Sequence, residues 1–189
     1  MLPLTLDISQ VHLTDEQFYQ LCIHNPEMRL ERTARGVLIL MPPVGGESGN
    51  REFELGLDLG IWNRQTRLGK VFSSSTIFQL PGGGDRSPDV AWIELSRWEI
   101  LTPEEQAKFP PIAPDFVMEL RSRTDNLKTL QNKMQEYLKS GVRLGWLFNP
   151  QGQQVEIYRP NREKMTLSLP QTLSGEDVLP GFQTTINRF

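Results

Sequence analysis

The stretch PDFVMELRSRTD, residues 114–125, constrains this chain more than any other. Read as a strand, it sends Phe116, Met118 and Leu120 to one face and Val117, Glu119 and Arg121 to the other. Apolar residues on both faces describe a central strand, largely out of water. A carboxylate in the middle of such a strand is costly unless something pairs with it or uses it.

The rest of the chain supplies cover for that strand. LTDEQFYQLCIHNPEM opens with a capping box, Thr14 with Gln17, and continues with Phe18, Leu21 and Cys22 at helical spacing. MRLERTARGVLILMPP reads as a hairpin turning near Arg35-Gly36. The loop PPVGGESGN leads into a helix, NREFELGLDLGIWNRQT, with Leu55, Leu59 and Trp62 on one stripe. Strands are expected around residues 70–80 and 89–94, with a short helix at TPEEQAKF that has Pro103 at its first position. Past the central strand, TDNLKTLQNKMQEYLKSG is a helix ended by Gly141. VRLGWLF and QVEIYRP follow as strands, then a short strand near MTLSLP and the closing LPGFQTTI. No repeat or linker interrupts the pattern, so one domain spanning 1–189 is expected.

Composition narrows the class. Fifteen glycines and fourteen prolines suit a loop-rich mixed fold, not a helical bundle. A single cysteine, Cys22, forms no internal disulfide and reads as a small buried apolar residue. With no apolar run long enough to span a bilayer and no basic leader, a cytoplasmic protein is expected, with no membrane partner. The net charge of −3 argues against a sequence-indifferent DNA coat protein. Between Arg121 and Trp146, however, six basic residues face two acidic ones, an excess that either meets phosphates or is a solvated helix face.

Candidates for chemistry are few. His12 and His24 lack metal-ligand spacing, and the triple glycine at 82–84 lacks the lysine and helix of a phosphate loop. What remains is Asp89 at the start of a strand, Glu119 inside the central one, and Lys133 on the inward side of the helix stripe formed by Leu127, Leu130, Met134, Tyr137 and Leu138. Two readings compete. Glu119 forms a buried structural ion pair with Lys133 or Arg121, leaving Asp89 as a turn residue. Alternatively, Asp89 and Glu119 bind a hard divalent cation through oxygen, and Lys133 holds or deprotonates the attacking water.

The ordered pieces RSPDVAW, PDFVMELRS, LQNKMQEYLKSGVRLGWLFNP and QVEIYRP resemble the Uma-type "putative restriction endonuclease" family of the PD-(D/E)xK nuclease superfamily. The likeness covers residues 12 to 187, and its most specific block runs from Pro114 to Pro150. It implies an α/β, restriction-endonuclease-like domain with a mixed central sheet flanked by helices, preceded by an N-terminal helix and hairpin. It also implies that Asp89 and Glu119 are ligands of Mg²⁺, with Mn²⁺ as a substitute. The superfamily's usual lysine, two residues after the second acid, is replaced by Arg121, which cannot act as a base. Lys133 matches the lysine that this family takes from the following helix. Glu47 or Asn50, in GGESGN, is the candidate for a further site position. Arg121 and Arg123 are expected to contact phosphate, although Ser122-Arg123-Thr124 departs from the family's usual Ser-Pro-Ser.

The resulting expectation is a metal-dependent endonuclease hydrolysing phosphodiester bonds in DNA, with a homodimer suited to cutting both strands. Its rivals are a non-catalytic binding or regulatory protein on the same scaffold, and an enzyme for a small phosphorylated ligand.

Overall fold

The computed structural model describes residues 3–187; the outer limits of the expected 1–189 domain lie outside the described residues. Strand β1 (Leu4–Asp7), absent from the sequence reading, precedes helix α1 (Asp15–Ile23), which carries the expected Thr14–Gln17 capping box. Strands β2 (Arg29–Arg32) and β3 (Val37–Met41) form the hairpin, turning at Gly36 with φ +78°. Helix α2 (Gly46–Thr66) starts four residues before the expected Asn50. Gly45 has extended backbone at its N-cap, and Glu47 sits in the first turn, where the helix dipole favours an acid.

Residues 70–80 do not make one strand. β4 (Gly69–Ser73) ends in a turn closed by Thr76 N–H donating to the Ser73 carbonyl, and β5 (Phe78–Gln79) joins a different sheet. β6 (Asp85–Arg86), β7 (Val90–Glu94), α3 (Leu95–Trp98) and α4 (Pro103–Ala107) lead to the central strand β8 (Phe116–Leu120), buried at every position. Helix α5 (Leu127–Lys139) and strands β9 (Leu144–Asn149), β10 (Gln154–Tyr158), β11 (Met165–Ser168), β12 (Gln171–Ser174) and β13 (Gln183–Ile186) complete the chain.

The main sheet runs β11-β10-β9-β8-β7-β4. Only β8 and β9 pair in parallel, joined through α5; the other neighbours are antiparallel. On one face Leu55, Leu59 and Trp62 of α2 share a core with Val90, Trp92, Phe116 and Met118, joined by Leu173 and Ile186 of the β12–β13 pair. On the other, Met134 and Tyr137 of α5 pack with Ala91, Val117 and Leu147. Cover on both sides is what the two-faced pattern of β8 demands.

A second sheet, β1-β3-β2-β6-β5, brings β2 and β6 together through the pair Arg32–Asp85. Gly84 permits this approach. Its φ is +89°, and a Cβ there would lie 2.8 Å from the Ala34 nitrogen. The close pass sets Glu31 of β2 beside Arg86 of β6.

Candidate active site

The β7–β8 register runs Val90 opposite Met118 and Trp92 opposite Phe116. One residue beyond the last registered pair, Asp89, in the bend just before β7, comes across from Glu119. Residues opposite each other across an antiparallel pair share a face, and here it is the face covered by α5. The Asp89 Oδ2 accepts the Leu120 N–H at 2.7 Å, which turns the carboxylate toward β8 instead of into its own loop.

Glu119 is only 3% exposed. Its Oε1 accepts from the Lys133 ammonium at 2.8 Å and from the Tyr137 hydroxyl at 2.9 Å. Lys133 also meets Glu31 Oε1 at 2.9 Å and the Ser87 carbonyl at 3.2 Å, so its three N–H donors are all engaged. Glu31 in turn accepts from Arg86 at 2.8 Å and from the Ser87 N–H at 3.0 Å. Arg86 continues to Glu136 of α5. The network ties the second sheet, the main sheet and α5 together at one point.

Within this network the charges are uneven. Burial and the neighbouring Glu119 push the Asp89 carboxyl well above the usual range, against a smaller pull from Lys133. Burial also raises Glu119, and Lys133 offsets only part of it. Glu31 behaves oppositely: burial alone would raise it, but Lys133 and Arg86 hold it below its ordinary value. Burial works against the Lys133 cation, yet Glu119 and Glu31 keep its pKa above the ordinary lysine range. Tyr137 is held well above its usual value by burial and by Glu119.

Glu31, Arg86, Asp89, Glu119 and Lys133 border a cleft of about 760 Å³ that also touches Glu47, Ser48, Glu52, Ser122, Arg123 and Asn126. The structure thus brings Asp89, Glu119 and Lys133 to one place. Glu47 stands exposed at the cleft margin, paired with Arg51 at 2.6 Å, while Asn50 is exposed and outside the lining. An acid of α2 whose charge reaches Asp89 is Glu52, five residues beyond Glu47. Arg121, expected from the sequence to contact phosphate, does not line the cleft. Its guanidinium donates to Asn149 at 3.0 Å and to the Asp125 carbonyl at 3.1 Å, bracing the loop after β8. Arg123 does line it, and is exposed.

Sequence reasoning missed Glu31, Arg86, Glu52 and the polar role of Tyr137. The stripe logic counted Tyr137 as core, which it also is, and its hydroxyl needed a partner that only the fold reveals. Glu31 and Arg86 carried a faint signal as charged residues in short strands, but nothing in the spacing joined them.

A hard cation fits the donors present. Asp89 Oδ1 and Glu119 Oε2 take no hydrogen bond among the described residues, and each carboxyl is strained by a neighbouring acid, Asp89 by Glu119 and Glu119 by Glu31. No group of three or more His, Cys, Asp or Glu able to hold a metal occurs among the described residues. That excludes a closed all-protein cage but not Mg²⁺, which takes one or two carboxylates and keeps several waters.

A mixed sheet flanked by helices, with an acid at the margin of each of two neighbouring strands, defines a restriction-endonuclease-like fold. Comparison places the chain more closely. Residues 15–187 match the family Uma2, described as "Putative restriction endonuclease", and the chain belongs to that family. A solved structure described as a "putative nuclease belonging to DUF820 from Anabaena variabilis ATCC 29413" superposes with a TM-score of 0.73 at 21% identity, covering 84% of this chain and 88% of that one. No curated protein matches the sequence. Among the described residues, no helix is long and apolar enough to cross a membrane.

Proposed function

We propose that this chain is a divalent-metal-dependent endonuclease acting on DNA, with Asp89 and Glu119 as the metal ligands. The observation that carries the reading is their placement: two carboxylates across from each other at the margin of the paired strands β7 and β8, each with one oxygen left open, beside a cleft. Mg²⁺ or Mn²⁺ held there supplies charge neutralisation for a scissile phosphate and acidifies the attacking water.

The chain's own groups divide the remaining work. Tyr137 and Lys133 fix Glu119 Oε1, which leaves Oε2 as the ligand atom. Lys133 stays protonated in this setting and is unsuited to accept a proton from water. It acts as a fixed positive charge, and it holds water only by releasing one of its three present acceptors. Arg86 and Glu31 brace it from the second sheet. Asp125 and Arg121 shape the loop that carries Arg123 to the rim, where its charge faces the phosphate backbone.

The fully engaged Lys133 and the near-complete burial of Glu119 favour a second reading, a binding protein on a nuclease scaffold. Plasmid cleavage with Mg²⁺ or Mn²⁺, beside Asp89→Ala, separates them. Metal-dependent cleavage lost in Asp89→Ala supports the enzyme. Equal Mn²⁺ binding by wild type and Asp89→Ala in calorimetry, with no cleavage, sinks it. DNA binding that falls with salt, with a log–log slope smaller by about 0.9 in Arg123→Ala, tests the phosphate contact.

A further inference from the structure

Helix α2 has two apolar stripes. Leu55, Leu59 and Trp62 face the main sheet and are at most 8% exposed. Phe53, Leu57 and Ile61, spaced four apart, lie on the opposite side at 64%, 39% and 46% exposure. An amphipathic surface helix carries charge on that outer face. Three large apolar side chains in one row on the outside of a 21-residue helix therefore need a partner to leave water.

The charges along the same helix say which partner. Its first half carries Glu47, Glu52 and Glu54 against Arg51, and its last turn and C-cap carry Arg64 and Arg67. Glu54, Arg64 and Arg67 are exposed and make no ion pair among the described residues. A helix with an acidic first half, a basic end and an apolar stripe between them is complementary to itself when turned end for end. Pairing centred on Leu57 sets Phe53 of one copy against Ile61 of the other. It sets Arg64 of one copy opposite Asn50 of the other, four residues from Glu54 and within reach of its carboxylate. Antiparallel dipoles add a favourable term. At Gly60 an added Cβ would meet nothing within 4 Å, so the backbone beside the stripe is open to close approach.

We infer that α2 is a homodimer interface: two copies of this chain pack their α2 helices antiparallel about a two-fold axis at Leu57. Such an interface is isologous, as two-fold dimers require. Because Gly46, Glu47, Ser48 and Glu52 of α2 also border the cleft, the pairing fixes two clefts in one rigid relation.

Sedimentation velocity of the full chain, without metal or nucleic acid, keeps this test independent of the proposed activity. The wild type is expected to be a dimer at micromolar concentration and Leu57→Asp a monomer with unchanged circular dichroism, since the side chain is exposed. Arg64→Glu is expected to weaken dimerisation about tenfold, because two-fold symmetry breaks the pair twice, and Glu54→Arg with Arg64→Glu to recover most of it. In a Cys22→Ala background, Leu57→Cys should cross-link to itself on oxidation. A monomeric wild type overturns the inference. So does a dimer that survives Leu57→Asp, which would put the contact elsewhere, for instance along the exposed Leu4 and Leu6 of β1. If Leu57→Asp unfolds, the charge swap decides: failure to recover overturns the antiparallel pairing.

Discussion

Two buried carboxylates stand four residues apart at the two ends of β8, and they are treated differently. Asp115, fully buried just before the strand, has both oxygens used. Oδ2 accepts the Glu94 N–H at 2.9 Å, and Oδ1 meets Arg97 at 2.8 Å with Arg143 at 3.5 Å. Its backbone carbonyl also accepts from Arg143 and Leu144, anchoring the start of β9. Glu119 has one oxygen held by Lys133 and Tyr137, and one left toward the cleft. Asp115 faces two arginines and a backbone donor; Glu119 shares one lysine with Glu31 and sits across from another acid, Asp89. A structural acid exhausts its lone pairs, whereas an acid kept for a ligand holds one back and is strained until the ligand arrives.

The sharpest way to break this contrast is to neutralise each acid in turn. Glu119→Gln should lower Mn²⁺ affinity about 100-fold or more in calorimetry and abolish cleavage, since even outer partners of a metal ligand cost about 10–100-fold. Asp115→Asn should leave Mn²⁺ binding unchanged while lowering the melting temperature. Comparable metal affinity in both variants would erase the distinction.

Lys133→Met comes next. Removing the one cation between Glu119 and Glu31 leaves two buried carboxylates under-paired, and should cost on the order of 3 kcal/mol, or a melting shift of about 6–12 °C. The loss should be partly restored by Mn²⁺, because the metal takes over the charge of Glu119. An equal loss with and without metal would mean that Glu119 is structural, like Asp115.

Tyr137→Phe is milder. It removes one hydrogen bond to Glu119 Oε1, about 1 kcal/mol of stability, and should weaken Mn²⁺ binding by about tenfold through loss of orientation. An unaltered metal affinity would show that Lys133 alone positions the carboxylate.

The smallest expected effect is in pH. Lys133 and Arg86 hold the folded-state pKa of Glu31 below its unfolded value. Its contribution to stability is therefore present above the ordinary glutamate pKa and is lost as pH falls through the lowered one. Urea midpoints should fall less on acidification from neutral pH in Glu31→Gln than in the wild type. Identical acid profiles would show that Glu31 gains nothing from its two cations.

Much of this was legible in the sequence, and for identifiable reasons. The buried centre of the sheet followed from the alternation in FVMEL, and α5 from a stripe that placed Lys133 inward. Both are local periodicities, set by strand and helix geometry. The start of α2 was read late because GGESGN has turn composition, and the break after Ser73 was passed over although Ser73-Ser74-Ser75-Thr76 separates the apolar residues of two strands that join different sheets. Strand and helix placement singled out Asp89, Glu119 and Lys133, the likeness to nucleases gave them roles, and the fold sets them together. It could not say that Arg121 leans away to Asn149, or that Glu52 instead of Asn50 sits within electrostatic reach of Asp89.

By itself, then, the sequence determined which residues are buried along the central strand β8 and on the inward stripes of α2 and α5, and so the layering of sheet between helices. Tertiary structure alone decided the partners of the buried charges. Glu31, Arg86, Glu119, Lys133 and Glu136 come from four separate elements, and their pairing depends on the close pass of β2 and β6 at Gly84 and on the β7–β8 register. Electrostatic interaction acts through distance in space, and distance in space is fixed by packing, not by position along the chain.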